Sequence, residues 1–352
     1  MTGNNRTVTL GDLAQQVGVS TKTVSLALRK SPGVSDYIKN KVAEAAKELN
    51  YSPSSNRRRA TQRKLTLGVC IPDLAEHYGE LAQEIIRYAG TLNYAVIPQI
   101  TNDNIADELR AVQMFKRLGV AAVIMTSSRI GEAAVRELEE DGILVVAIVS
   151  TQPNLGGPLP YFKLPLLIDH YESTYKATKH LTELGHNRIA YLAGPRNSSS
   201  NVAKCGGFKK ALEDVGVTVD DKYIVEYDTG RYDCSTGYEE CLELIERSEV
   251  DKPSALVCYN DELALGALAC LISNHIEVPT EMSIVGNDDI KHARYWRPPL
   301  TTVSIPRQQL AQEAIGMIDD CIHNPKKDID MNFKIVPKLI IRGSTGRCAS
   351  SK

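Results

Sequence analysis

Polar and basic side chains suited to a nucleic acid gather near the N-terminus of this 352-residue chain: Ser20, Thr21, Lys22 and Thr23 run together, and Ser25 and Leu26 follow. Val24, Ala27 and Leu28 recur at helical spacing, so a helix here buries one stripe and leaves Thr21, Lys22, Ser25 and Leu26 pointing elsewhere. An ammonium can bond base edges, whereas a leucine touches a thymine methyl but cannot pair bidentately with guanine. A second set of chemically able residues stands just after apolar runs: Asp73, Glu76, His77 and Tyr78, then Ser127, Ser198 to Lys204, Arg231-Tyr232, Asn260-Asp261 and Asp288-Asp289. Such groups can hold a small polar molecule without transforming it. The parts of an enzyme are missing: there is no G-x-S-x-G, Walker loop, H-E-x-x-H or strand-linked G-x-G-x-x-G. Asp288-Asp289 has no third oxygen ligand at fixed spacing, so no metal or cofactor is expected. Asp261 is expected to cap the helix it opens, and His77 and His186 to be structural or exposed.

The N-terminal residues need a frame, and their neighbours supply one. Thr9 with Asp12 reads as a capping box ahead of Leu10, Leu13, Ala14 and Val17, and Gly18 stops that helix. Ser20 caps the second helix, and two helices joined by so short a glycine turn form a helix-turn-helix. Ser35 caps a third, whose Ile38, Val42, Ala45, Ala46 and Leu49 cover the first two. Charge follows the same division. Residues 1–64 carry twelve Lys and Arg against four Asp and Glu, leaving 29 bases against 39 acids in the remainder. A head of +8 on a body of −10 is the split expected when one end meets a polyanion.

From Leu65 onward, apolar runs alternate with amphipathic segments. The runs are 65–71, 95–100, 120–125, 143–149, 164–168, 189–193, 223–227, 255–259, 283–286 and 301–305. This pattern argues for parallel sheets covered by helices on both faces, and ten strands suit two lobes better than one. Thr151 to Lys163, with two Gly and three Pro, is the most loop-like stretch between the lobes. The eight cysteines show no metal-ligand spacing and read as reduced core residues. With no apolar leader and no run of about 18 apolar residues, a cytoplasmic protein without a membrane partner is expected.

The order of the motifs goes further. Val8-Thr9-Leu10-Gly11-Asp12-Leu13-Ala14, Gly18 to Ser25, Val34-Ser35 and Leu49-Asn50-Tyr51-Ser52-Pro53 closely resemble the head of the LacI/GalR family of bacterial transcriptional regulators. Leu184-Gly185-His186-Asn187-Arg188, Leu192-Ala193-Gly194-Pro195, Asn260-Asp261-Glu262, Val285-Gly286-Asn287-Asp288-Asp289 and Pro298 to Val303 resemble its regulatory core. The resemblance implies an all-α head at 1–51, a hinge helix or linker at 52–64 and a two-lobed, periplasmic-binding-protein-like α/β core at 65–344. It places the first lobe at about 65–165 and 300–325 and the second at about 166–295 and 328–344.

Function and partners follow as expectations: a homodimeric repressor on a pseudo-palindromic double-stranded operator, answering to a small-molecule effector, most simply a sugar or sugar derivative. DNA contacts are expected from Thr9, Ser20, Thr21, Lys22, Thr23, Ser25, Leu26, Tyr51, Ser54, Arg57, Arg58 and Ala60. Ala60 stands where the family carries a minor-groove leucine, and a run of three arginines precedes it. Effector contacts are expected from Asp73, Tyr78, Ser127, Lys204, Tyr232, Asn260 and Asp288, with Lys204 where the family usually has arginine. A ligand-blind regulator and a cytosolic solute-binding protein sharing the core remain the alternatives.

Overall fold

The computed structural model describes residues 8–28, 31, 34–49, 66–126, 130–150, 162–196, 198–226, 232–247, 252–324 and 333–349. It divides into two compact units, 1–64 and 65–352. The first holds α1 (Leu10–Val17), α2 (Thr21–Leu28) and α3 (Asp36–Glu48). Side chains start each helix. The Thr9 N–H donates to Asp12 Oδ2 at 2.7 Å and the Asp12 N–H to Thr9 Oγ1 at 3.3 Å, closing the capping box. Ser20 Oγ accepts from the Thr23 N–H at 3.1 Å, and Ser35 Oγ from the Ile38 N–H at 3.4 Å. Gly18 ends α1 at a φ of 74°, a left-handed cap that glycine adopts without strain. Fully buried Leu13, Val24 and Val42, one from each helix, form the centre of a small core with Ala14, Ala27, Ala45 and Ala46.

The second unit runs β1 (Thr66–Ile71), α4 (Glu76–Thr91), β2 (Ala95–Ile100), α5 (Ile105–Leu118), β3 (Ala122–Met125), α6 (Glu132–Glu140), β4 (Leu144–Ser150) and β5 (Leu164–Ile168). It continues with α7 (His170–Glu183), β6 (Ile189–Leu192), α8 (Ser199–Glu213), β7 (Ile224–Val225), α9 (Cys234–Ile245), β8 (Ala255–Cys258), α10 (Asp261–Ser273) and β9 (Ser283–Asp288). The remainder is β10 (Thr301–Ser304), α11 (Arg307–His323), β11 (Lys334–Ile335) and β12 (Lys338–Ile340). Among the described residues, the strands make two six-stranded sheets, β11-β5-β4-β3-β1-β2 and β12-β10-β9-β8-β6-β7. All pairings are parallel except β10 with β12. Apolar clusters cover both faces of each sheet, as the uninterrupted apolar runs require.

Three expected connections are corrected. The segment 151–163 joins β4 to β5 within the first sheet, so it does not separate the lobes, and β5 belongs wholly to the first lobe. Strand β10 pairs with β9 in the second sheet (Thr301 opposite Val285), where a return to the first lobe was expected. Lys334, expected in the second, pairs with Leu167 in the first. The chain therefore crosses after Ile168, returns between Ser304 and α11, and crosses again between Ile335 and Lys338. An apolar run reports burial, but its partner is chosen by long-range pairing that periodicity does not encode.

In the second lobe, α9 and α10 touch backbone to backbone. A Cβ on Gly266 would stand 2.0 Å from the Cys234 carbonyl oxygen, and one on Gly237 would stand 2.1 Å from that of Leu263. Backbone cannot step aside cheaply, so Gly266→Ala should lower stability by at least about 2 kcal/mol in urea unfolding. A loss within experimental error would show that the helices separate easily.

Glu240, on α9, is fully buried, and among the described residues neither of its carboxyl oxygens has a hydrogen-bond partner. Burial pushes its pKa from 4.5 up to about 8, with nearby Glu243 adding to the effect. The folded chain thus keeps a proton that the unfolded chain releases, and stability falls as pH rises from about 4.5 through 8. Glu240→Gln should match the wild type near the lower limit and become progressively more stable than it toward the upper. Parallel stability–pH curves for the two proteins would contradict this.

Candidate effector cleft and nucleic-acid-reading helix

On the head, α2 exposes Thr21, Lys22 and Leu26, with Ser20 exposed at its start and Thr23 and Ser25 half-buried. The apolar face carrying Val24 and Ala27 goes into the core, so the polar face is what remains exposed. Thr9 is exposed too, its hydroxyl donating to Asp12 Oδ2 at 2.7 Å. Tyr51, Ser54, Arg57, Arg58 and Ala60 lie outside the described residues, as does Ser127 of the effector set.

In each sheet of the core the strand order reverses beside the first strand of its lobe, between β1 and β3 and between β6 and β8. Ligands of open α/β sheets sit beyond the strand ends at such points. Tyr78 lies there in the first turn of α4, half-buried and edge-on to His77 with ring centroids 4.9 Å apart. Burial raises the Tyr78 phenol well above its ordinary pKa and lowers that of His77. Asp73 is exposed on the preceding turn, where Oδ1 accepts the Ala75 N–H at 2.8 Å.

The facing wall comes from the second lobe. Lys204, on α8, is 3% exposed; its Nζ donates to the Tyr259 carbonyl at 2.7 Å and sits 4.2 Å from the Tyr259 ring centroid. Burial lowers the Lys204 pKa and raises that of Tyr259 to about 12. Tyr232 and Tyr259 have ring centroids 6.0 Å apart. Asn260 caps α10 by accepting the Leu263 N–H at 2.8 Å, and its amide donates to the Tyr232 carbonyl at 2.8 Å, so it positions the tyrosine segment. Asp288 ends β9, and its Oδ1 lies 3.6 Å from Nδ1 of His77 on the other lobe.

Asp261 does not cap its helix, contrary to expectation, because Asn260 already does. It is fully buried, accepting from the Thr302 hydroxyl at 2.5 Å and the Ile290 N–H at 2.9 Å. Burial, with Asp288 nearby, pushes its pKa up to about 7. His186 is structural, bonded to Ser254 and the Gly346 carbonyl.

Sequence reasoning passed over Arg307 and His170. Arg307, the first residue of α11, donates to the carbonyls of Asp288 at 2.5 Å and Asp289 at 2.8 Å and pairs with Glu80 Oε2 at 2.9 Å. His170 opens α7, and burial holds its pKa well below the ordinary value. Both follow strands closely, the rule that singled out the other candidates. Each escaped because β5 and β10 had been placed in the wrong lobe. Glu80 also lies 3.6 Å from Lys291, and Glu76 touches His292, so the first turns of α4 meet basic residues of the second lobe.

Comparison with known proteins agrees with this architecture. Residues 9–54 match the family of bacterial regulatory proteins, lacI family, and residues 178–345 match the periplasmic binding protein-like domain. The chain is 28% identical over 342 residues to the HTH-type transcriptional repressor PurR of Haemophilus influenzae (strain PittEE), covering 96% of this chain and 98% of that protein. Among solved structures, a LacI family transcriptional regulator from Enterococcus faecium with bound ribose superposes with a TM-score of 0.68 at 26% identity, over 80% of this chain and 99% of that one. The lac repressor dimer bound to operator and the anti-inducer ONPF gives a TM-score of 0.70 at 24% identity, over 97% and 100%, a likeness of fold. The chain thus carries a lacI-family DNA-binding domain followed by a periplasmic-binding-protein-like domain, in the order found in a repressor to which it is similar over nearly its full length.

Proposed function

We infer that the protein is a DNA-binding transcriptional repressor whose operator affinity is set by a small polar effector held between the two lobes. The observation that carries this reading is the presence, on one chain, of an exposed Lys22-bearing helix and a cleft lined by buried polar groups from both lobes. The repressor name of the Haemophilus relative and the ribose in the Enterococcus structure point the same way. A carboxylate at Asp288 accepts hydroxyl hydrogens, and the rings of Tyr232, Tyr259 and Tyr78 offer flat apolar faces, a combination suited to a polyhydroxylated ring. Two heads are needed to read a two-fold operator, so the working unit is a homodimer. The first lobe leaves Ile86, Ile105 and Leu109 large and exposed, apolar surface that a second copy would cover. In this reading residues 52–64 are the hinge, Arg57 and Arg58 meet phosphate, and each such contact steepens the salt dependence of binding.

Replacing Lys22 by Ala should relax base preference at one position per half-site and weaken operator binding by about 1–3 kcal/mol. Binding-site selection followed by titration checks this, and an unchanged consensus removes Lys22 from the reading set. Asp288→Ala should abolish the effector response while operator binding persists, because the substitution leaves α2 untouched. Calorimetry with whichever ligand emerges from a thermal-shift screen provides the check; affinity within about twofold of wild type would place the ligand elsewhere.

A further inference from the structure

Among the described residues of the cleft, one buried ammonium has no carboxylate against it. Lys204 is almost completely buried, yet it meets a carbonyl oxygen and an aromatic ring, and among the described residues no carboxylate comes within 4.0 Å of its Nζ. An ammonium held this way recovers little of its lost hydration. The two acids that act on it from a distance are engaged: Asp288 lies against His77, and Asp261 accepts from Thr302 and Ile290. Beside Lys204 stand His77 and His170, and among the described residues the buried Nδ1 of each has no hydrogen-bond partner. The charges acting on His170 are those of Lys204 and His77, with no carboxylate among them. His77 faces Asp288 and Asp73 as well as Arg307 and Lys204. Among the described residues, two buried imidazoles and an ammonium with no carboxylate in contact thus come together from α4, α7 and α8, three elements that only the tertiary fold brings together.

We propose that the effector carries an anionic group, a phosphate or a carboxylate, which seats between Lys204 and His170 with His77 at its flank, while its hydroxyl-bearing part faces Asp288 and the tyrosines. The proposal rests on the cleft reading and adds the charge of the ligand to it. A neutral sugar could donate to Asp288, but it would leave the Lys204 ammonium without a counter-ion. An anion neutralises that charge and gives the His170 Nδ1 a partner once that imidazole is protonated. Burial lowers the affinity of both imidazoles for protons, so binding of an anion draws protons from solution and tightens as pH falls. The phenols of Tyr78 and Tyr259 stay protonated throughout, since burial raises both.

The test is calorimetry on the full chain with three probes: sulfate for a phosphate ester, acetate for a carboxylate, and glucose as the neutral control. Sulfate and acetate keep constant charge between about pH 6 and pH 8, so any pH dependence belongs to the protein. The expected result is that at least one anion binds, about tenfold more tightly near pH 6 than near pH 8. Lys204→Met should weaken it at least about tenfold, and His170→Gln should flatten the pH dependence. The His170 variant keeps the test decisive if Lys204→Met does not fold. Failure of both anions to bind at millimolar concentration overturns the proposal. If glucose binds in that case and is lost in Asp288→Ala, the cleft reading survives without the anion seat. Anion affinity unchanged in both variants marks an adventitious ion only and overturns the proposal, and a ligand indifferent to Asp288→Ala, Lys204→Met and His170→Gln alike removes the cleft reading with it.

Discussion

A carboxyl group shielded from water organises the second lobe. Asp261 ties together the start of α10, the turn after β9 and strand β10 through its bonds from Ile290 and Thr302. Room for it depends on Gly286, where a Cβ would lie 2.1 Å from Asp261 Oδ1. Asp288 and Asp289, the residues of the turn it anchors, have φ angles of 123° and 54°. Side chains with a Cβ avoid that region, and the surrounding bonds must hold them there. The wall of the cleft is thus a strained turn kept in place by one buried acid from below and one guanidinium from the side.

That guanidinium makes the cleft wall and the lobe interface parts of one network. Arg307 holds the two turn carbonyls and pairs with Glu80 of the first lobe, while Asp289 pairs with Arg342. Relative burial decides which ion pairs matter. The Arg307 and Glu80 side chains are 11% and 14% exposed, so their bond is little screened, whereas Lys291, at 68%, contributes at most a fraction of a kcal/mol to its pair with Glu80. A ligand that displaces the turn must therefore disturb the Arg307–Glu80 contact, which gives lobe closure a physical connection to occupancy of the cleft.

Much of this was legible in the chain. Capping residues Thr9, Ser20 and Ser35, the stop at Gly18 and the stripe Val42, Ala45, Ala46 specify the head locally, within one or two helical turns each. Every apolar run from Thr66 to Ser304 became a strand. Long-range assignments were another matter. Strands β5, β10 and β11 are short, and each stands beside a crossing between the lobes that no local signal marks. The same blindness hid Arg307 and His170, whose importance follows from where their strands end. Asn260 took the cap expected of Asp261 because two adjacent side chains can both cap on paper, and only one has the geometry.

The three crossings between lobes also bear on how the protein is made. The head closes its contacts within about forty residues, so it can be complete while most of the chain is still on the ribosome. Neither lobe has that freedom. The first cannot finish its sheet until Ile335 arrives to lie beside Ile168, nor cover one of its faces until α11 packs against Leu81 and Ile85. The second waits for residues 338–340 to pair with β10. For most of synthesis both sheets therefore stand with an open edge, a row of unpaired backbone groups that a neighbouring nascent chain could join before the proper strand emerges.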